Sequence, residues 1–214
     1  MSDTLLTGPT PNGHEPSGAD IWNAIVRAAI RSFRERAFHE VTLETVADGA
    51  GLQLAAVRAR FPTWDDLVVA TVQVWNAERM AAFVPLAEQE GAAGFLRALV
   101  RANLADPSLV RLLTAVVNIA ATPGHPMAEA LQKQWIRFHT LVERAIARDV
   151  AAGREPDGLD PARGAEQLVA LYEGLQLQAM VRPGMDLLDA WDHAVARLRD
   201  GWSQTAATAH VWEI

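Results

Sequence analysis

Apolar residues recur every three or four positions along most of this chain, the spacing that places them on one face of an α-helix. In the first such segment, residues 20–37, Ile25, Ala29 and Phe33 share a face. Asp20 is the expected N-cap of this helix, because a short acidic side chain accepts the first free backbone N–H groups. No stretch shows the strict alternation of a half-buried strand. The pattern therefore predicts an all-α protein.

Two short helical segments follow the first helix. We expect Thr42 to cap the second helix, which ends in a turn around Gly49 and Gly51. The third helix is predicted at residues 54–61, and Pro62 ends it. Three short helices with a glycine-containing turn before the last are typical of a helix-turn-helix. The pattern alone leaves open a second interpretation, a small helical subdomain without a role in DNA binding.

From residue 64 onward the pattern predicts a larger helical bundle. The expected helices lie at residues 64–88, 91–105, 108–121, 127–152, 161–181 and 186–204, separated by links that contain proline or glycine. The segment 108–121 is apolar on nearly all sides, so we expect it to be central and buried.

Composition narrows the class of protein. The 214 residues include no cysteine, which excludes disulfides, thiolate zinc sites and cysteine nucleophiles. No apolar run approaches the roughly 20 residues of a membrane span, and the polar segment 1–19 lacks the basic and apolar regions of a signal peptide. We therefore expect a cytoplasmic protein with a disordered tail at residues 1–19 and no membrane partner. The net charge of −7 counts against general attraction to nucleic acid, although a local patch can still bind DNA.

The segment 25–67 resembles the DNA-binding region of the TetR family of bacterial regulators. The residues that match in identity and spacing are Ile25, Ala28, Ala29, Phe33, Thr42, Val46, Ala47, Ala50, Gly51, Leu52, Val57, Phe61, Pro62, Asp66 and Leu67. The C-terminal half is similar to that family at residues 124–126, 160–161 and 171–178. The resemblance implies a homodimer with an N-terminal three-helix helix-turn-helix domain at residues 20–67 and a C-terminal helical ligand-binding and dimerisation domain at residues 68–214.

The resemblance also implies that the third helix lies in the major groove of a double-stranded DNA operator. The residues then expected at the DNA are Thr42, Gln53, Leu54, Ala55, Ala56, Arg58, Arg60 and Trp64. The chain departs from the family at Arg58 and Trp64, where Tyr and Lys usually contact phosphates, and residues 20–67 hold six arginines against seven acids, a net charge of −1. An alternative therefore stays open: a protein of this fold that binds a ligand or a partner and has lost DNA binding.

The resemblance also implies a small-molecule effector between helices of the C-terminal bundle. The candidate lining residues are Trp75, Met80, Phe83, Leu99, Leu112, Val116, Trp135, His139, Tyr172 and Gln176. Their character favours an apolar or aromatic compound, with ordinary core packing as the alternative for each apolar member. The resemblance places the dimer interface on the last two helices, through Leu168, Leu171, Leu175, Met180, Leu188, Trp191, Val195 and Leu198.

Motifs of enzymes and metal sites are missing from the sequence. The chain has no nucleophile elbow, no glycine-rich phosphate loop, and no pair of histidines four residues apart. Asp189, Asp192 and His193 could bind a metal, but a solvated charged face is the favoured interpretation. We therefore expect no enzyme, no cofactor and no metal. The sequence leads to a ligand-responsive regulator, predicted to be a repressor released from a palindromic operator.

Overall fold

The computed structural model describes residues 17–207, and every regular element within them is a helix, as the pattern predicts. A single 3-10 turn at Phe38–Glu40 joins the first two helices. The helices are α1 (Gly18–Glu35), α2 (Leu43–Ala50), α3 (Leu54–Arg58), α4 (Trp64–Phe83), α5 (Leu86–Gln89), α6 (Gly91–Ala105), α7 (Ser108–Ala121), α8 (Ala128–Ala151), α9 (Pro161–Val181) and α10 (Leu187–Ala207).

The start of α1 corrects the predicted cap and the predicted end of the tail. Ser17 is the N-cap, because its hydroxyl accepts from the backbone N–H of Asp20 at 3.2 Å. The Asp20 carboxylate in turn accepts from the Ser17 N–H at 2.9 Å, which completes a capping box. The helix therefore begins at Gly18, inside the segment predicted as tail. Residues 1–16, where the rest of that prediction falls, lie outside the described residues.

Two other predicted helices are shorter than expected. The helix predicted at residues 64–88 ends at Phe83, and the chain resumes as the short α5 after Pro85, whose ring nitrogen carries no N–H for the helix ladder. The third helix ends at Arg58 rather than at residue 61, and the Arg60 N–H bonds the carbonyl three residues back, that of Val57, at 3.0 Å, the tighter 3-10 pattern of a helix end.

Two hydrophobic cores organise the molecule. The first core unites α1 to α4 with α7 and the beginning of α8; its buried members include Ile25, Phe33, Val46, Val57, Leu67, Leu112, Val116 and Leu131. The second core lies among α6, α8, α9 and α10, with Phe95, Leu96, Ile146, Leu168 and Trp191 as large buried members. The helices α1 to α3 and the start of α4, called the head from here on, are therefore packed on α7, a helix of the C-terminal bundle, through one continuous core.

The helix α7 is only half buried, which corrects the prediction for this segment. Leu109, Leu112 and Val116 face the first core, but Val117 is exposed and Leu113 is half-buried. The other apolar face of α7 borders a cavity. The helix is apolar on nearly all sides because one face packs into the first core and the other lines this cavity.

A buried carboxylate fixes the start of α6 against α8. Asp149 accepts from the backbone N–H of Ala92 at 2.7 Å and pairs with the Arg154 guanidinium at 2.6 Å. Gly91 has φ +75°, and a Cβ built there would lie 2.6 Å from the Asp149 carboxylate. Only glycine fits this junction, because both the left-handed backbone and the close approach exclude a side chain.

Candidate DNA-reading helix and effector cavity

The helix α3 presents one face to solvent at the surface of the head. Gly51 ends α2 in the left-handed conformation with φ +67°, which redirects the chain into α3. Val57 is fully buried in the first core, whereas Gln53, Ala55 and Arg58 are exposed. The segment is therefore anchored by its buried side and open on the other.

Charged side chains around α3 already have neighbours. Arg58 forms an ion pair of 3.5 Å with Glu44 of α2, and both side chains are more than half exposed. The Arg60 guanidinium lies close to the start of α1, where a Cβ on Gly18 would meet its Nη2 at 3.0 Å. Both arginines lie at the surface of the head.

A cavity of about 370 Å³ lies between the two cores, walled by α4, α6, α7, α8 and α9. The volume lies within the roughly 300–1,000 Å³ that is usual for small-molecule sites. Its lining residues are Asn76, Arg79, Met80, Leu99, Asn103, Leu109, Val110, Leu113, Thr114, Val117, Gln134, Trp135, Phe138, Ala170, Tyr172, Glu173, Gly174, Gln176 and Leu177.

A polar network stands against these apolar walls. Arg79 donates from Nη1 to the Asn103 side-chain oxygen at 2.6 Å. The Asn103 amide donates to the Tyr172 hydroxyl at 3.1 Å and to the Gln176 side-chain oxygen. Burial raises the pKa of the Tyr172 hydroxyl, so this group stays protonated at neutral pH. Four polar side chains from three helices thus meet in the cavity.

Asp106, in the link between α6 and α7, connects this network to the head. Its carboxylate lies 3.9 Å from the Arg79 guanidinium and 3.4 Å from that of Arg34 on α1. Ser108 donates to the same carboxylate from its backbone N–H at 3.1 Å and from its hydroxyl at 2.5 Å. Burial favours a higher pKa for Asp106, but the Ser108 hydrogen bonds and the two arginines outweigh it, and the pKa lies below its usual range.

A second carboxylate lies at the lining of the cavity on α9. Glu173 accepts from the indole N–H of Trp135 at 3.1 Å and is exposed overall. Burial of part of the group raises the pKa of Glu173, and the Trp135 hydrogen bond acts in the opposite direction. The cavity lining therefore includes one cation, Arg79 of α4, and one carboxylate, Glu173 of α9.

Two family models match this chain. The model described as bacterial regulatory proteins of the tetR family matches residues 25–71, and the model described as the C-terminal domain of a BetI-type transcriptional repressor matches residues 89–202, more than half of the chain. The chain belongs to the TetR family.

Solved structures of other TetR-type regulators share this fold. A TetR regulator from Haloarcula marismortui is 20% identical, with a TM-score of 0.66 over 86% of this chain and 98% of that chain. A TetR-family member from Streptomyces coelicolor is 25% identical, with a TM-score of 0.61 over 83% and 97%. The regulator FadR from Bacillus subtilis, in complex with stearoyl-CoA, is 15% identical, with a TM-score of 0.62 over 84% and 98%. None of the curated proteins matches.

The TetR head places the predicted DNA contacts unevenly. Five are exposed, and these are Thr42, Gln53, Ala55, Arg58 and Arg60. Leu54 and Ala56 are half-buried. Trp64 packs into the head instead, with its ring centroid 6.0 Å from that of Phe33 and 6.2 Å from that of Phe38. The indole consequently occupies an aromatic cluster at the start of α4, where it has little freedom to reach a phosphate.

Half of the predicted effector residues line the TetR cavity. These are Met80, Leu99, Trp135, Tyr172 and Gln176. The other five lie outside the lining: Trp75, Leu112 and Val116 are buried in the first core, Phe83 packs against the second, and His139 is half-buried on α8. For these apolar members, core packing was the alternative interpretation of the sequence.

Two polar residues of the cavity, Arg79 and Asn103, were not predicted from the sequence. Arg79 lies four residues after the buried Trp75, and Asn103 lies four residues after the buried Leu99. Each therefore continues the inward face of its helix. A polar residue that interrupts an apolar face is the signal that could have found them.

The predicted dimer residues divide by burial within a single chain. Leu168, Trp191 and Val195 are buried in the second core, so these side chains leave little surface for another subunit. Leu171, Leu175, Met180, Leu188 and Leu198 are half-buried. The largest exposed apolar side chains of α9 are Leu177 and Val181, which are not among the predicted interface residues.

Between residues 17 and 207 the structure has neither a candidate membrane span nor a candidate metal site. No helix there combines the length and hydropathy that a membrane span requires. In the same part of the chain, no three His, Asp or Glu side chains converge on a point where a metal could bind. The matching families and solved neighbours are transcriptional regulators.

Proposed function

We propose that this TetR-family chain is a cytoplasmic, ligand-responsive transcriptional regulator that binds a palindromic double-stranded operator as a homodimer. A small apolar or aromatic effector in the cavity releases it, so the protein acts as a repressor. The binding element is the exposed face of α3, and the sensing element is the cavity between the two cores.

The observation that carries this proposal is the double role of α4 and α7. Both helices line the cavity, through Met80 and Leu113 among others, and both pack against α1 of the head. Their buried sides belong to the first core, which reaches Val57 of α3. Because packed cores are close to incompressible, a ligand that displaces α4 or α7 must shift the head. Such a shift favours dimers whose two α3 helices no longer match successive major grooves.

The dimer is proposed to form on the outer face of α9. Ala170, Gly174, Leu177 and Val181 follow one another at intervals of four, three and four residues, the spacing of a helix-packing face. A Cβ on Gly174 would meet nothing within 4 Å, so a second helix can approach closely at this point. Gly174 and Leu177 also line the cavity, and a second copy docked here would cover part of its mouth. A twofold dimer suits a palindrome.

The test is retention of genomic fragments from the source organism by the purified protein at low salt, followed by footprinting. We expect a fragment with a twofold-symmetric protected site. The matched variant Ala55→Asp, which adds a negative charge to the exposed face of α3, should retain nothing. Retention of no fragment by the wild type, or equal retention by Ala55→Asp, would contradict the proposal.

A second candidate, a ligand-binding or partner-binding protein without DNA affinity, is supported by the charges of the head. Glu44 already pairs with Arg58, and Trp64, at the family's usual lysine position, packs inward. This candidate predicts an empty fragment-retention experiment. It also predicts a co-purified small molecule or protein partner in a native mass measurement of the same preparation.

A further inference from the structure

Building on the effector cavity of the proposed function, we propose that the effector is an apolar compound with a carboxylate, and that this carboxylate pairs with Arg79 in exchange for Asp106. The proposal narrows the effector class from apolar compounds in general to apolar acids. It also names the ion pair that the effector disrupts.

The first support is the poor pairing of a largely buried cation. The Arg79 side chain is only 12% exposed, yet Asp106, the one carboxylate that pairs with it between residues 17 and 207, stands 3.9 Å away. The Asp106 backbone carbonyl accepts from the same guanidinium at a long 3.4 Å. A short hydrogen bond of 2.6 Å goes to Asn103, a neutral group. A guanidinium offers five donors in a fork that matches a carboxylate, and much of that fork is unused here.

The second support is that Asp106 is shared. Its carboxylate lies closer to Arg34 than to Arg79, and it also accepts two hydrogen bonds from Ser108. One negative charge thus faces two guanidinium groups. Arg34 is stabilised further, because its guanidinium lies 5.2 Å from the Trp75 ring centroid and is attracted electrostatically by the Glu78 carboxylate. The unbalanced positive charge therefore falls on the side of Arg79, which faces the cavity.

The shape of the site fits an acid with an apolar body. Leu99, Leu109 and Leu113 line the space that Arg79 borders. An uncharged apolar compound would cover the remaining exposed part of Arg79 without supplying an anion, which is costly for a cation. A carboxylate would supply a charge-assisted, bidentate partner in the same place.

The competing class is an apolar amine drawn to Glu173. That carboxylate already accepts from the Trp135 indole and lies on an exposed part of α9. Glu173 is exposed and already accepts from the indole, whereas only 12% of the Arg79 side chain is exposed. The buried group gains more from a new partner of opposite charge, so the structure favours the acid.

The test measures binding of decanoate, decanol and decylamine to the purified homodimer by calorimetry. We expect decanoate to bind at least about tenfold more tightly than decanol, the difference of one charge-assisted pair. In Arg79→Gln, which keeps a hydrogen-bond donor for Asn103, this preference should disappear. In Arg148→Gln, which removes an exposed arginine from α8, it should persist.

A second variant is expected to change decanoate binding in the opposite direction. Asp106→Asn keeps one side-chain oxygen, enough to accept both Ser108 hydrogen bonds, which go to the same atom. It removes the charge that competes for Arg79, so decanoate should bind several-fold more tightly. Arg79→Lys keeps a charge and should retain part of the preference if Arg79→Gln proves unstable in thermal unfolding. Equal binding of acid and alcohol, a preference for decylamine, or no binding by all three would overturn the proposal. Because binding is measured without DNA, a failure of operator retention would remain a separate result.

Discussion

Arg58 on the head and Arg79 in the cavity each face a carboxylate at similar distance, 3.5 Å to Glu44 and 3.9 Å to Asp106. The side chains of the first pair are 58% and 57% exposed, and those of the second are 12% and 35% exposed. An exposed pair contributes roughly 0–1 kcal/mol and rearranges easily, so Arg58 is free to exchange Glu44 for a DNA phosphate. A buried guanidinium depends on the partners it has. Burial, rather than residue type, thus separates an adaptable surface contact from a selective binding group.

The largest effect should follow where a fully buried carboxylate is removed. We expect Asp149→Ala to lower the free energy of unfolding by about 2–4 kcal/mol: the buried Ala92 N–H loses its acceptor, which costs about 1–3 kcal/mol, and Arg154, 41% exposed, loses its partner, which adds up to about 1 kcal/mol. Urea unfolding measures this change. The matched control is Glu166→Ala, which breaks the exposed pair with Arg163 and should cost less than about 1 kcal/mol. Similar losses in the two variants would remove the distinction between buried and exposed pairs.

A smaller loss is expected within the polar network of the cavity. Gln176→Leu takes an acceptor from the buried Asn103 amide and should cost about 1–3 kcal/mol of unfolding free energy. The control is Gln178→Leu, two residues along the same helix, where the side chain is exposed and bonded to Arg182. Chemical denaturation of both variants is the measurement. If Gln176→Leu were as stable as the wild type, the hydrogen bond from Asn103 to Gln176 would not contribute to stability, contrary to this prediction.

On the head, the expected change is in DNA binding rather than in stability. Arg58→Ala should leave the free energy of unfolding within about 0.5 kcal/mol of the wild type. Its operator affinity should fall across all sequences, and the slope of log affinity against log salt should decrease by about 1, as for one lost phosphate contact. Fluorescence anisotropy at several salt concentrations measures both quantities. An unchanged salt slope would show that Arg58 stays with Glu44 on DNA.

The smallest effect concerns pH and Glu173. Because its pKa is raised in the folded chain, the folded state binds a proton more readily than the unfolded state does. Stability should therefore fall as the pH rises from the ordinary Glu value, about 4.3, through the raised value. Glu173→Gln should lack this part of the pH dependence. The readout is the difference in unfolding free energy between variant and wild type across that window, and a difference that does not vary with pH would contradict the raised pKa.

Much of the fold follows from periodicity, because helix faces are a local property of the chain. Thr42 was predicted as an N-cap and is one, accepting from the Thr45 N–H at 3.3 Å. Asp20 was misassigned because Ser17 and Asp20 are both good caps, and only their reciprocal hydrogen bonds show which residue starts the helix. Local pattern ranks such candidates but does not separate them.

The cavity was predictable only in part, because it forms where separate helices meet. Leu112 and Leu113 are neighbours of the same type, yet one fills the first core and the other lines the cavity. The pairing of Arg79 with Asp106 joins residues 27 positions apart, and that of Arg34 with Asp106 joins α1 to the C-terminal bundle. Contacts of this kind depend on how helices cross, which the pattern of one helix does not encode.

The most direct test of coupling between cavity and head needs no effector. Thr114 lines the cavity from α7, and Thr114→Trp places an indole where an effector would lie. Operator affinity of this variant is the measurement, and thermal unfolding confirms the fold. The matched control is Asn118→Trp, at an exposed position one turn along α7 that is not part of the cavity lining. We expect Thr114→Trp to bind operator at least about tenfold more weakly than the wild type, within the usual range of coupling between sites, and Asn118→Trp to bind normally. A folded Thr114→Trp with wild-type operator affinity would contradict the coupling.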